Sequence, residues 1–234
     1  MNFNHTLIEG NILKRYKRFF ADVQTPNGEV LVAHVANTGS MKTCWAPGWP
    51  ALLSDHRDSD RKLKYTLEMV HNGKSWIGVN TAWPNKLAQQ AIEAGKLPEF
   101  KNYNIVIPEQ KIGDSRIDLL LKSDDKKYPD QYVEIKNVTM LGDDGLAIFP
   151  DSVSERGQKH LRELTQIVES GGKAAMLFII QRQDIKAFRA AAEIDPEYAR
   201  LLKAARDAGV DIIAYRCDLG PKGIELVATV PISF

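Results

Sequence analysis

The chain of 234 residues has only two cysteines, Cys44 and Cys217, far apart in sequence. That excludes a disulfide-stapled scaffold and predicts free thiols in a reducing compartment. Nowhere do 18 apolar residues run together, so no membrane-spanning helix is expected. The start, Met1-Asn2-Phe3-Asn4-His5, has no basic segment followed by an apolar run, which predicts a cytoplasmic protein with no secretion signal and no membrane contact. His5, His34, His56 and His71 lack metal-ligand spacing, which argues against zinc. No serine has a visible histidine–acid partnership, no helix-turn-helix signature is present, and there is no internal repeat or low-complexity linker. Neither sign of charge dominates, with 31 Lys and Arg against 30 Asp and Glu. A bulk polycation of the histone kind is therefore excluded, but a local polyanion site is not.

The charge is uneven along the chain. Residues 1–84 hold 10 Lys/Arg against 7 Asp/Glu, whereas residues 85–234 hold 21 against 23. Much of the excess sits in Lys14-Arg15-Tyr16-Lys17-Arg18-Phe19-Phe20. Lys14, Arg15, Lys17 and Arg18 beside aromatics suit a nucleic-acid surface, where cations neutralise phosphates and rings stack on bases. The competing reading makes the charges a solvated edge. Strand alternation in either case predicts that at least one of Phe19 and Phe20 lies in a core.

Residues 1–82 read as about five strands without a helix: Leu7–Val23, Glu29–Ala36, Trp45–Ser54, and a hairpin of Lys64–Val70 with Lys74–Val79 around His71-Asn72-Gly73. A small closed barrel such as an OB-fold accounts for that count, whereas a sandwich needs more strands. Within it, Asn37-Thr38-Gly39-Ser40-Met41 is either a loop whose backbone N–H groups cradle a phosphate or a plain connection. Residues 83–234 change texture. A helix over Pro84–Gly95 precedes strands Asn104–Ile112, Arg116–Lys122 and Gln131–Val138. Ser152-Val153-Ser154-Glu155 reads as a capping box opening a helix that closes at Gly171-Gly172. A buried strand Lys173–Gln181, a helix from Pro196 to near Gly209, and strands Val210–Cys217 and Ile224–Pro231 follow. The fold expected is two-domain: an N-terminal all-β barrel, then a mixed α/β sheet covered by helices.

The chemistry concentrates in residues 105–138. A two-residue turn at Gly113-Asp114 sets Glu109 opposite Asp118 and Lys111 opposite Arg116. A turn centred near Lys126 in the polar run Ser123–Gln131 brings Asp118 close to Glu134, with Lys136 two residues on. Period-2 alternation then puts Glu109, Lys111, Arg116, Asp118, Glu134 and Lys136 on one face, with Ile112, Ile117, Leu119, Leu121, Val133 and Ile135 on the other. Such a pattern also describes an ordinary half-exposed sheet laced with ion pairs. A helix-covered interior strand, however, is a costly place for unshared charge. Asp118 and Glu134, with the Ile135 carbonyl, could hold Mg²⁺ or Mn²⁺, and Glu109 a second ion or a bound water. Lys136 would orient the attacking water or stabilise charge growing on a phosphodiester.

Ile117-Asp118 followed by Val133-Glu134-Ile135-Lys136 resembles the D…(D/E)-x-K core of PD-(D/E)XK nucleases, whose order of helix, three strands, helix and strand also matches. Gln158 is similar to the helix glutamine some of them carry. Six blocks, in order, resemble the sugar fermentation stimulation protein A (SfsA) family. They are Arg15-Tyr16-Lys17-Arg18-Phe19, Asn37-Thr38-Gly39-Ser40-Met41, Val79-Asn80-Thr81, Ser115-Arg116-Ile117-Asp118, Val133-Glu134-Ile135-Lys136, and Phe149-Pro150-Asp151 through Glu155-Arg156-Gly157-Gln158-Lys159-His160-Leu161. The resemblance implies an OB-like domain, a restriction-endonuclease-like domain, and DNA binding connected with sugar use. Arg116, Gln158 and Lys159 become expected phosphate contacts, and His160 either an acid–base group or a surface or hydrogen-bonding histidine. Three functions stay open: a metal-dependent nuclease, a non-catalytic DNA-binding regulator on the same scaffold, and a phosphodiesterase for nucleotide signals.

Overall fold

The computed structural model describes residues 1–3, 6–112, 115–124 and 126–234. The turn expected at Gly113-Asp114, residue Asp125 of the polar connection, and Asn4 and His5 lie outside the described residues.

Six strands build the N-terminal unit: β1 (Ile8–Tyr16), β2 (Phe20–Gln24), β3 (Val30–His34), β4 (Pro50–Asp55), β5 (Tyr65–His71) and β6 (Trp76–Gly78). β1 pairs with both β2 and β4, and a parallel contact of β3 with β5 closes the first five into an OB barrel. Alternation sends Ile12, Ala21, Val23, Leu31, Ala33, Leu53 and Leu67 into its core. β6 extends the β5 hairpin beyond the barrel. The stretch read as one strand over Leu7–Val23 is two strands. Lys17 (φ 49°) and Arg18 (φ 64°) turn the chain in left-handed backbone, and the Arg15 guanidinium donates to the Arg18 carbonyl at 3.1 Å. Because the turn resets the alternation, neither phenylalanine enters the core: Ala21 and Val23 fill it, Phe19 is 47% exposed, and Phe20 lies on the outer surface.

In the second unit, α1 (Trp83–Glu93) leads into β7 (Ile105–Ile112), β8 (Ser115–Lys122) and β9 (Gln131–Val138). After two short strands, β10 (Met140–Leu141) and β11 (Ala147–Phe149), come α2 (Glu155–Glu169), β12 (Lys173–Ile180), β13 (Phe188–Ala190), α3 (Pro196–Ala208), β14 (Asp211–Gly220), β15 (Gly223–Thr229) and β16 (Ile232–Ser233). The main sheet runs β15-β14-β12-β9-β8-β7, with β9, β12 and β14 parallel and antiparallel flanks. The minor sheet, β10-β11-β13-β16, has strands of two or three residues, too short for a periodicity to reveal. The α2 cap lies two residues beyond the expected one. Ser154, not Ser152, accepts the Gly157 N–H at 3.1 Å. None of the helices described is long and apolar enough to cross a membrane.

Helix α1 covers one face of the sheet through Leu87, Ala88, Ala91 and Ile92, against Leu119, Leu121, Val133 and Ile135. Helices α2 and α3 cover the other through Leu161, Leu164, Leu201 and Leu202. Ile117 and Ile112 belong to this second layer, not to the face of Leu119 expected for them. The strands explain the switch. The β7–β8 ladder keeps the expected register at Pro108↔Leu119, Gln110↔Ile117 and Lys111↔Arg116, but Glu109 (φ 52°) and Asp118 drop out of it. The β8–β9 ladder stops at Leu119↔Val133. Beyond that point the strands separate, and the alternation of β8 is broken at Asp118.

Hydrogen bonds join the units at several places. The Arg182 guanidinium, 1% exposed, donates to the Thr139 carbonyl at 2.7 Å and pairs with Asp184, while its Nη1 also reaches Thr43 of the barrel loop at 3.4 Å. Gly78 N–H donates to the Gln181 carbonyl at 2.9 Å. In the loop over 37–41, Ser40 N–H donates to Asp151 Oδ2 at 2.8 Å, and Gly39 N–H to Asn37 Oδ1 at 2.9 Å.

Candidate active site

The separation of β8 from β9 creates the site. At Asp118 the missing ladder bond is replaced by a side chain: Ile135 N–H donates to Asp118 Oδ2 at 2.7 Å. The other oxygen accepts from Asn85 Nδ2 on α1 at 2.8 Å. From the next strand Glu134, 3% exposed, and Lys136 project toward α2, where Lys136 Nζ lies 2.6 Å from Glu134 Oε1. His160 of α2 is also 3% exposed; its Nδ1 hydrogen-bonds Glu134 Oε1 and lies 3.4 Å from Lys136 Nζ. Glu134 Oε2 is buried with no partner.

Burial and the neighbouring Glu134 charge raise Asp118 above the ordinary carboxylate range, against the bonds from Ile135 and Asn85 and the charge of Lys136. For Glu134, burial pushes the same way, but the His160 hydrogen bond and the Lys136 charge overcome it and hold the carboxyl below its usual value. The pair is thus split, with the Glu134 carboxyl lowered and the Asp118 carboxyl raised by burial and then by its neighbour.

The donor set suits a hard divalent cation: one buried carboxylate oxygen without a partner, and a second carboxylate beside it. Mg²⁺ is commonly held by one or two carboxylates and keeps several waters. Among the described residues no group of three or more His, Cys, Asp or Glu side chains is arranged to hold a metal ion. Glu109 is not brought to this cluster. Its left-handed backbone turns it to the surface, where it takes a 2.9 Å ion pair from Arg116. Gln158 donates both its bonds to Asp195, the cap of α3, at 3.0 and 3.2 Å. Lys159 points outward, 3.7 Å from Glu163. His160 is the residue placed most differently from a surface histidine, and Asn85 carried no sequence signal at all.

The basic segment divides in two. Lys14 pairs with Asp22 at 3.2 Å and lies over the Tyr16 ring, which stacks on Phe20 at 5.4 Å and 19°. Arg15 turns the other way and caps the Asn37 and Gly39 carbonyls at 3.0 and 2.9 Å. The amides of Gly39 and Ser40 are already taken, so the loop over 37–41 is a junction between units and not a backbone cradle for phosphate.

An OB barrel joined to a mixed sheet of the restriction-endonuclease type, with an acidic pair and a lysine where two strands part, defines a protein on a nuclease-like scaffold. Two family models match, "SfsA N-terminal OB domain" over residues 13–79 and "Sugar fermentation stimulation protein RE domain" over residues 82–223. The chain belongs to the sugar fermentation stimulation protein family. It is 46% identical over 221 residues to a homologue from Geotalea uraniireducens, covering 94% of each chain, and 46% over 235 residues to one from Pseudoalteromonas atlantica, covering 99% of each. It superposes on Pyrococcus furiosus SfsA, solved in complex with Ca²⁺, with a TM-score of 0.88 at 26% identity, covering 100% of this chain and 98% of that one.

Proposed function

We propose that this protein is a divalent-metal-dependent nuclease that binds nucleic acid, in the first place DNA, and hydrolyses its phosphodiester bonds. The observation that carries the reading is the buried, unpartnered Glu134 Oε2 beside Asp118, with Lys136 on the same strand. The Ca²⁺ bound by the P. furiosus relative supports it. When bound, Mg²⁺ or Mn²⁺ supplies Lewis acidity toward a phosphate oxygen and acidifies a water. Asp118 and Glu134, with the Ile135 carbonyl, hold the ion. Lys136 directs its ammonium at the attacking water or at charge developing on the phosphate. His160 fixes the Glu134 carboxylate from behind, and Asn85 fixes Asp118. The barrel's Lys14, Lys17 and Arg18 meet the polynucleotide backbone. Arg116 and Lys159 lie at the surface of the second unit, where they can add to that field.

A second reading, a DNA-binding regulator without catalysis, is favoured by the small donor set of two carboxylates and by the direct Lys136–Glu134 pair. One experiment separates them. Purified protein is incubated with labelled DNA and RNA in Mg²⁺, in Mn²⁺ and in EDTA, beside Asp118→Ala. Metal-dependent cutting by the wild type that the variant lacks supports the nuclease. Salt-sensitive binding that needs no metal, without cutting under any condition, supports the regulator.

A further inference from the structure

Where the two units meet, a cleft of about 760 Å³ opens between the 37–42 segment of the barrel and the 137–152 segment of the second unit. Its cations come from the barrel: Arg15, Arg18 and Lys42. Asp151 is the one acid among its described lining residues, and Asp151 Oδ2 already accepts from Ser40. The balance along the walls is therefore positive, and it reaches Asn137, the residue after Lys136. Arg15 has its Nη2 committed to carbonyls. Arg18 and Lys42 are exposed on the cleft walls.

The same hairpin presents a second chemistry. Arg18 lies in the left-handed turn between β1 and β2, and the residues on either side of that turn, Tyr16 and Phe20, stack on each other on the outer barrel surface. Phe19 stands exposed between them. One turn thus carries a guanidinium on the cleft wall, and the paired rings stand on the flanks of that turn, outside the cleft lining. Phosphates with accessible bases have this complementary form. A duplex does not, because its bases are stacked on one another and shielded from an aromatic platform.

We infer that this interdomain cleft is a channel for a single polynucleotide strand, its phosphates held by Arg18 and Lys42 and its bases stacked on the Tyr16–Phe20 platform, so that the substrate is single-stranded. This rests on the nucleic-acid reading given above and names the strand state of the substrate.

The test is equilibrium binding by fluorescence anisotropy in EDTA, where no cutting can occur. A labelled 12-nucleotide oligothymidylate is compared with a blunt 12-base-pair duplex, for the wild type, for Lys42→Ala combined with Arg18→Gln, and for Phe20→Leu. The wild type is expected to bind the single strand at least ten-fold more tightly than the duplex. The double variant is expected to lose at least ten-fold in single-strand affinity, with the slope of log K against log salt shallower by about 1.4, two phosphate contacts at ~0.7 each. Phe20→Leu should weaken single-strand binding and leave the salt slope unchanged. Equal or tighter duplex binding, or a double variant that binds like the wild type, overturns the channel. Because metal is absent, failure of the nuclease reading is seen separately: a protein that binds single strands as expected and cuts nothing in Mg²⁺ or Mn²⁺ keeps the channel and loses the catalysis.

Discussion

His160 Nδ1 hydrogen-bonds one oxygen of Glu134, and the other oxygen of that carboxylate is buried with no partner. A helix residue thus holds a strand residue by one oxygen and leaves the other oxygen open. Groups that orient a metal-binding carboxylate from behind typically contribute about 10–100-fold to metal affinity or activity. His160→Gln is therefore expected to weaken Mn²⁺ binding by about ten-fold, read by titration calorimetry without any nucleic acid. His160→Asn, whose side-chain Nδ2 stands where the imidazole Nδ1 does, tests rescue of the geometry and should bind closer to the wild type than His160→Gln. Unchanged Mn²⁺ affinity in both variants would remove His160 from the site.

Asp118 is burdened at neutral pH by burial and by the Glu134 charge. An amide of the same shape keeps an acceptor for the Ile135 N–H and discards the charge. Asp118→Asn should abolish metal-dependent cutting, by at least ~10³-fold as for loss of a central reacting group, while the melting temperature without metal stays level or rises. A fall of several degrees would show that the carboxylate is retained for stability. That would weaken its assignment to the metal.

The barrel, the three strands of the site and the Glu134–Lys136 spacing were legible because each is a matter of short-range alternation. Pairing across β7 and β8 follows the expected register even though Glu109 leaves it. What escaped depends on backbone or on distant neighbours. Lys17 and Arg18 turn in left-handed backbone with neither glycine nor asparagine to announce it, so two strands read as one and the phenylalanine expected in the core is not there. Glu109 is another left-handed residue without a local signal, and its loss from the acidic cluster is a backbone event. His160 and Asn85 come from helices on opposite faces of the sheet, and no spacing along the chain brings them to Glu134 and Asp118.

Gly39 is set by contact. A Cβ built there would lie 2.1 Å from Asp151 Oδ2, the atom that accepts the Ser40 N–H across the two units. Gly39→Ala must push the carboxylate away and lose that bond. We expect a destabilisation of about 1–3 kcal/mol, the usual cost of overpacking, measured by urea unfolding. Asp151→Asn, which keeps an acceptor oxygen, should cost less. Equal stability of Gly39→Ala and the wild type would mean that the junction is not held through this contact.

Asp184 closes another junction. Burial alone would raise its carboxyl, but the Arg182 hydrogen bonds and charge, with a 2.8 Å bond from Asn72, hold it down at about 2. A carboxylate lowered on folding contributes stability that is fully present above its unfolded value, near 3.9, and is lost as pH falls through the folded one. The contribution here is about 2 kcal/mol. Asp184→Asn should therefore lie below the wild type in stability by a constant margin from pH 5 to pH 8, and the two curves should converge between about pH 4 and pH 2. Asp184→Ala should cost about 1 kcal/mol more, because it also removes the oxygens that accept from Arg182 and Asn72. Denaturant unfolding across that pH range decides the matter. A margin that persists undiminished below pH 2 would show that the loss comes from packing and not from the ion pair.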